Sequence, residues 1–417
     1  MNAPYDLNTK RLSYREVVAK YPDVSPFVIL KTDIQRRGVT YSPAALAQVN
    51  PEIHLTQVRS IFHSIGEKAE VRIPASLLLR DGTSILSGPR PDAEDLYLVD
   101  YIDGRLVITD HGDILEEVSY WDKPDFVTKL TSSGKPMWQI VTPRPQRLDI
   151  NPYSNCHFWD DGSGCKFCNI GSHFNQQQKT NNKPLRLDPK DISETVREAI
   201  RQQGRFANVM LTGGSILEGE ELFDKEVEVY IEALQAIGEN FSTRRFPSQL
   251  ISSAFNLDQL NRLYEETGLL SYTSDIEVLN EEKFNWISPG KAKKVGYQGW
   301  KQRLITAVEI FGRGNVNTGI VGGVDLATPH GFSSEEESLK VTLDEADDLA
   351  SKGVSAVFCV WGPTKGSAFY KQQTPSLEYY VQLAKGLDAA RRRHSLPVDM
   401  DNYRLCGNHP DSDLSRI

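Results

Sequence analysis

Residues 147–168 read RLDINPYSNCHFWDDGSGCKFC, a short apolar run followed by a polar, glycine-containing loop that holds three of the five cysteines in a 417-residue chain. Beyond this point short apolar runs alternate with amphipathic stretches. The runs are ANVMLTGG (207–214), SQLISSAF (248–255), LLSYTSDIEV (269–278), NVNTGIVGGV (315–324) and SAVFCVWG (355–362). Between and after them lie helix-period segments, such as LFDKEVEVYIEALQAIG (222–238) and LEYYVQLAKGLDAARRRH (377–394). Six strand-helix units predict a parallel α/β sheet with right-handed crossovers, hence a doubly wound sheet or a full or partial barrel. Both place ligands at the carboxyl ends of the strands. The cysteines, Gly213-Gly214, Glu277, Gly322-Gly323 and Gly362 all fall there.

Residues 1–140 read differently. LYLVDYI (96–102) and RLVITDH (105–111) are β-type runs, with turn signals at Asp81-Gly82 and Asp103-Gly104, so a small hairpin-rich region is expected. SPAALAQVN (42–50) and LTQVRSIFHSI (55–65) carry apolar spacing that suggests short helices. TSSGKPMWQIVTPRPQ (131–146), with its prolines and glycine, reads as a linker.

Apolar residues make up 39% and charged residues 25%, as in ordinary globular domains, and the formal charge of −9 argues against a partner bound by phosphate neutralisation. No nucleic acid is expected. The first 24 residues lack an apolar signal region and no stretch suits a bilayer, so a cytoplasmic protein with no membrane partner is expected. An odd, clustered set of cysteines is a poor disulfide framework and suits metal-binding thiolates.

Cys156, Cys165 and Cys168 can hold three irons of a [4Fe-4S] cluster, leaving the fourth open to a small-molecule ligand. The same spacing serves a zinc site completed by His157, His173 or Cys406. The loop alone leaves both open.

The stretch from 147 to about 395 resembles the radical S-adenosylmethionine (radical SAM) superfamily, closest to the subgroup of biotin synthase, tyrosine lyase, the hydrogenase maturase and methylornithine synthase. In that superfamily such a loop follows the first strand of a partial (β/α)6 TIM-type barrel. Here the spacing is Cys-x8-Cys-x2-Cys instead of the usual Cys-x3-Cys-x2-Cys, and the aromatic residue before the last ligand is Phe167, which the resemblance places near the adenine. LTGGS (211–215) resembles the Gly-Gly-Glu stretch that binds the SAM amine, with Gly213 and Gly214 in place and Ser215 where the acidic residue stands. Residues 274–324 resemble the fourth through fifth strands of the subgroup. That match assigns Glu277 to the ribose hydroxyls and Arg303 to the SAM carboxylate, pairings that carboxylates and guanidinium groups make well. TGIVGGV matches the fifth-strand glycine pattern in part, at Gly319, Ile320 and Gly322, with Asp325 at its acidic position. FCVWGPTKGS (358–367) resembles the sixth-strand end.

The resemblance implies reductive cleavage of SAM at a [4Fe-4S] cluster and hydrogen abstraction from a small metabolite by the 5′-deoxyadenosyl radical, with flavodoxin or ferredoxin as electron donor. A lyase, mutase or cyclase is expected, because Cys359 and Cys406 are too few for a second cluster and Cys359 sits in an apolar run. Ser253, Tyr272, Ser274 and Trp361 are expected near substrate. The polar tail, 396–417, is read as a cap over the barrel mouth, with Cys406 or Tyr403 as hydrogen-atom donor or covalent partner. The competing readings are a zinc-stabilised barrel that binds without radical chemistry and a Schiff-base lyase using Lys365. The KAKK run (291–294) reads as a solvated loop or a local patch for an electron carrier.

Overall fold

The computed structural model describes residues 11–58, 72–86, 95–172, 184–396, 409–410 and 414. The larger sheet has seven strands: Val141–Arg144 (β9), Gln146–Ile150 (β10), Phe206–Thr212 (β11), Ser248–Ile251 (β12), Ser271–Thr273 (β13), Val316–Gly322 (β14) and Val354–Val360 (β15). Strands β10 to β15 are parallel and lie in sequence order, while β9 pairs antiparallel with β10 at the edge. A doubly wound sheet needs a reversal in strand order. With none, crossovers of one hand keep every helix on one face, so the sheet curls into a half-barrel. Its register runs Leu148, Val209, Ser248 across the first strands and Tyr272, Val316, Val354 across the last, which brings the carboxyl ends together.

The outer helices are Pro189–Ala199 (α5), Asp224–Gly238 (α6), Leu257–Glu266 (α7), Glu281–Ile287 (α8), Pro289–Lys294 (α9), Tyr297–Phe311 (α10), Glu335–Ser351 (α11) and Leu377–Arg393 (α12). Local chemistry sets their ends. Asp188 caps α5 with Pro189 in its first turn, Asn256 and Gln259 form a capping box on α7, and α12 ends on Arg391, Arg392 and Arg393, which suit the negative end of the helix dipole.

The N-terminal part carries helices Tyr14–Lys20 (α1), Pro26–Arg37 (α2) and Pro43–Leu46 (α3), with strands Val39–Tyr41 (β1), Thr56–Val58 (β2), Arg72–Pro74 (β3), Ser76–Leu79 (β4), Ser84–Leu86 (β5), Tyr97–Ile102 (β6), Arg105–Asp110 (β7) and Asp113–Tyr120 (β8). Strands β6, β7 and β8 form consecutive hairpins, and the first turns at Asp103-Gly104, both at positive φ as a two-residue primed turn requires.

Two expectations change. Residues 131–146 are no plain linker, because they contain helix Met137–Ile140 (α4) and strand β9. Pro143 is tolerated because β9 is an edge strand, where a missing N–H costs no ladder bond. In LTQVRSIFHSI, residues 56–58 form β2, paired to β3, since two β-branched residues in three suit a strand; positions 59–65 lie outside the described residues. The N-terminal part also shares a core with the barrel. Val28 and Ile29 of α2 join the barrel core with Tyr380 and Leu383 of α12, while Leu30 and Ile34 join the N-terminal core with Leu77 and Tyr97. Helix α2 therefore bridges the two sheets.

Candidate functional site

After β10 the chain turns over the strand ends, and Cys156 leads into a single helical turn, His157–Trp159. The His157 N–H donates to the Ser215 carbonyl at 2.9 Å, tying the loop to the end of β11. The His157 ring is committed on both nitrogens, Nε2 to the Tyr153 hydroxyl at 2.8 Å and Nδ1 to the Leu217 N–H at 3.4 Å, which takes it out of contention as a fourth metal ligand. The Trp159 indole explains the long x8 spacing. It packs so closely on Gly164 and Gly171 that a Cβ at either would lie 2.7 Å from the ring, so the extra residues wrap the indole and return the chain to Cys165. Gly214 allows the other close approach, since a Cβ there would fall 2.4 Å from the Cβ of Cys156.

Burial pushes the Cys165 thiol up to about 12 and the Cys168 thiol up to about 11. It raises Cys156 too. The three sulfurs interact electrostatically in sequence, Cys156 with Cys168 and Cys168 with Cys165. Ser288 is buried beside Cys165, and its hydroxyl hydrogen-bonds that thiol. Three thiol donors in one loop, with a glycine packed against the first of them, suit a [4Fe-4S] group.

At the ends of β11 and β12 lies a buried polar chain that the sequence did not announce. Ser215 Oγ and Ser253 Oγ are 2.8 Å apart, and Ser253 Oγ donates to Glu226 Oε2 at 2.8 Å. The Ser253 and Ile216 N–H groups also donate to this carboxylate, at 2.9 Å and 3.0 Å. Burial nevertheless lifts Glu226 to about 7, against the pull of these donors. Its signal was an acidic residue on the same side of α6 as Tyr230 and Leu234, both buried. Arg303 on α10 donates to the Ala254 carbonyl at 2.7 Å, so it reaches the same strand end as Ser253.

Glu277 stands on the far side. Its φ is +72°, in the left-handed region, and its backbone bridges β14 through Gly319 and Val321. Its carboxylate accepts from Lys291 Nζ at 2.7 Å, and that ammonium also donates to the Asp275 carbonyl at 2.6 Å. Burial lifts Glu277 to about 7; Lys291 opposes this and Asp275 adds to it. Burial alone would lower Lys291, but Glu277 and Cys165 outweigh it and hold the ammonium above the usual lysine range. Lys291 is therefore no solvated residue, which corrects that reading of KAKK, while Lys293 and Lys294 are exposed.

Phe167 joins Val278, Val321, Val324 and Trp361 in a small apolar cluster beside Glu277. Gly322 faces a packed helix, since a Cβ there would lie 3.0 Å from Leu383, and its carbonyl accepts from Tyr380 at 3.0 Å. Tyr272 binds Ser253 O and Phe255 N–H through its hydroxyl and is fully interior. Ser253 and Ser274 are likewise buried with their hydroxyls committed, so the structure gives these three framework roles rather than a place open to substrate. Cys359 is partly buried and leans on the Ile320 carbonyl, and Lys365 is exposed. Cys406, Tyr403 and His173 lie outside the described residues. Among the described residues, no helix is long and apolar enough to cross a membrane.

No family model matches the chain. It is 22% identical over 267 residues to a bacteriochlorophyllide c C-7(1)-hydroxylase of Chlorobaculum limnaeum, a match that takes in 61% of this chain and 62% of that relative. Among solved structures, a radical SAM methyltransferase from Sphaerobacter thermophilus is similar with a TM-score of 0.42 at 14% identity, over 74% of this chain and 78% of the other. The cobalamin-dependent S-adenosylmethionine radical enzyme OxsB is similar with a TM-score of 0.34 at 11% identity, over 76% of this chain and 48% of the other.

Proposed function

We propose that the chain is a radical SAM enzyme acting on a small organic substrate. The observation that carries this reading is the convergence of three partly buried thiols, the Gly213-Gly214 turn, Ser215, Arg303 and Glu277 at one end of a six-strand parallel half-barrel.

In this reading Cys156, Cys165 and Cys168 hold a [4Fe-4S] cluster. What the group supplies when bound is a single electron for cleaving the C5′–S bond of SAM. The protein orients SAM: Ser215 accepts from its amine, Arg303 meets its carboxylate, and Glu277 accepts from the ribose hydroxyls. The Phe167 cluster shields the adenine from water, and Gly322 backs the strand that lies beside it. Cys406 or Tyr403, both outside the described residues, serves in this reading as the hydrogen-atom donor. An electron donor of the flavodoxin or ferredoxin type docks near the exposed Lys293 and Lys294. The lyase, mutase or cyclase expected from sequence gains no support from a relative named as a hydroxylase, so the proposal stays with hydrogen abstraction at carbon.

The test is anaerobic reconstitution with iron and sulfide, reduction, addition of SAM and measurement of 5′-deoxyadenosine against the triple variant Cys156→Ala, Cys165→Ala, Cys168→Ala. Nucleoside from the intact protein alone supports the reading. Stoichiometric zinc with no iron-sulfur absorbance and no nucleoside would replace it with the structural-metal alternative.

A further inference from the structure

Lys291 presents a physical puzzle that holding the fold together does not solve. Its side chain is 11% exposed, and its Nζ is fixed by the Glu277 carboxylate at 2.7 Å and the Asp275 carbonyl at 2.6 Å, over the Trp300 ring at 4.6 Å from the centroid. A buried ion pair stabilises a fold little beyond a well-packed apolar pair, because both ions lose their hydration. Its place is costly, so the site it faces is where its use lies.

That site is the cysteine loop. The Lys166 N–H donates to the Ile287 carbonyl at 2.9 Å and the Gly290 N–H to the Ser163 carbonyl at 3.0 Å, so the α8–α9 junction is clamped against the loop. A Cβ on Gly290 would lie 2.4 Å from Phe158, which leaves this clamp no slack. Ser288 borders Cys165, and Lys291 follows one helical turn later. The ammonium acts electrostatically on Cys165 and Cys156, in the sense opposite to Glu277 on Cys165 and Cys168. A cation and an anion thus bracket the thiols.

We infer that Lys291 and Glu277 form a buried charge pair that sets the reduction potential of the group the three thiolates hold, with Lys291 favouring the reduced form. This rests on the proposed [4Fe-4S] reading. The step it governs is the uptake of one electron from an external reductant, which makes the site one charge more negative and leaves bonds unchanged. A nearby ammonium lowers the energy of the added charge and a nearby carboxylate raises it, with little screening in a buried site.

The experiment is an anaerobic redox titration without SAM, followed by electron paramagnetic resonance, on reconstituted wild-type protein, Lys291→Met, Lys291→Arg and Glu277→Gln. Glu277→Gln leaves the ammonium unopposed, so its midpoint is expected above the wild-type value. Lys291→Met is expected below it and Lys291→Arg close to it. Lost packing would push the Met and Gln variants the same way, whereas a charge effect separates them in sign. Two midpoints that move together, or none that moves at equal iron content, would overturn the inference while leaving the proposed function standing. Wild-type protein that takes up no iron and sulfide would instead remove the functional reading and this inference with it. If Lys291→Met fails to fold, Lys291→Gln, which also removes the charge, supplies the second midpoint to set against Glu277→Gln.

Discussion

The α-carbon of Gly214 lies so close to Cys156 that a Cβ on the glycine would stand 2.4 Å from the cysteine Cβ and 2.3 Å from the Asn155 carbonyl oxygen. Backbone crowds it on one side and the first thiol on the other, so nothing flexible can yield.

Gly214→Ala is therefore expected to displace Cys156 rather than simply strain the turn. Overpacking of this kind costs about 1–3 kcal/mol. The variant should fold with a lowered melting temperature and bind less iron after reconstitution than wild type. Iron and sulfide analysis with a thermal melt checks both, and wild-type iron content would show that the first thiol tolerates the shift.

The parallel α/β sheet was legible because its strand-helix alternation is long, and all six strands appear where apolar runs stand, but the alternation left a doubly wound sheet open and only the family resemblance implied the partial barrel. What the sequence hid were relationships between distant residues. Glu226 pairs with Ser253 across 27 positions and Lys291 with Glu277 across 14, and neither spacing has a local period. The Pro-rich stretch before β10 misled for a similar reason, since only the sheet reveals that it is an edge.

Glu226 gives the protein a pH dependence whose sign is fixed. Burial raises it from 4.5 in the unfolded chain to about 7 in the folded one, so the folded state holds this proton more tightly. Stability from this group is greatest when it is protonated, declines as pH rises from about 4.5 through 7, and is flat above. At one pKa unit per 1.36 kcal/mol, the span is on the order of 3 kcal/mol. Urea midpoints at pH 5.5 and 8 should differ more for wild type than for Glu226→Gln, and equal differences would mean that Glu226 does not titrate there.

Helix α2 makes the N-terminal part inseparable from the barrel. Ile29 is fully buried in the barrel core, while Leu30 beside it serves the other core. Ile29→Ala is expected to cost about 2–5 kcal/mol, as buried aliphatic truncations do. Both sheets should still unfold in one calorimetric transition. Two separated transitions would mean that the bridge is not cooperative.

Glu277 offers a comparison that isolates backbone strain from chemistry. Its φ of +72° lies where residues with a Cβ are held at a cost and glycine is not. Replacing it by alanine or by glycine removes the same carboxylate and leaves Lys291 equally unpaired, so that large loss cancels between the two variants. In a helix or strand the glycine would be the less stable of the pair, by roughly 0.5–1 kcal/mol. Here the order should reverse, with Glu277→Gly more stable than Glu277→Ala by about 1 kcal/mol, because only alanine keeps the left-handed penalty. Parallel urea titrations of the two variants measure this difference directly. If alanine proves the more stable, the loop relaxes out of the left-handed region once the carboxylate is gone, and it is the Lys291 pair that holds the backbone there.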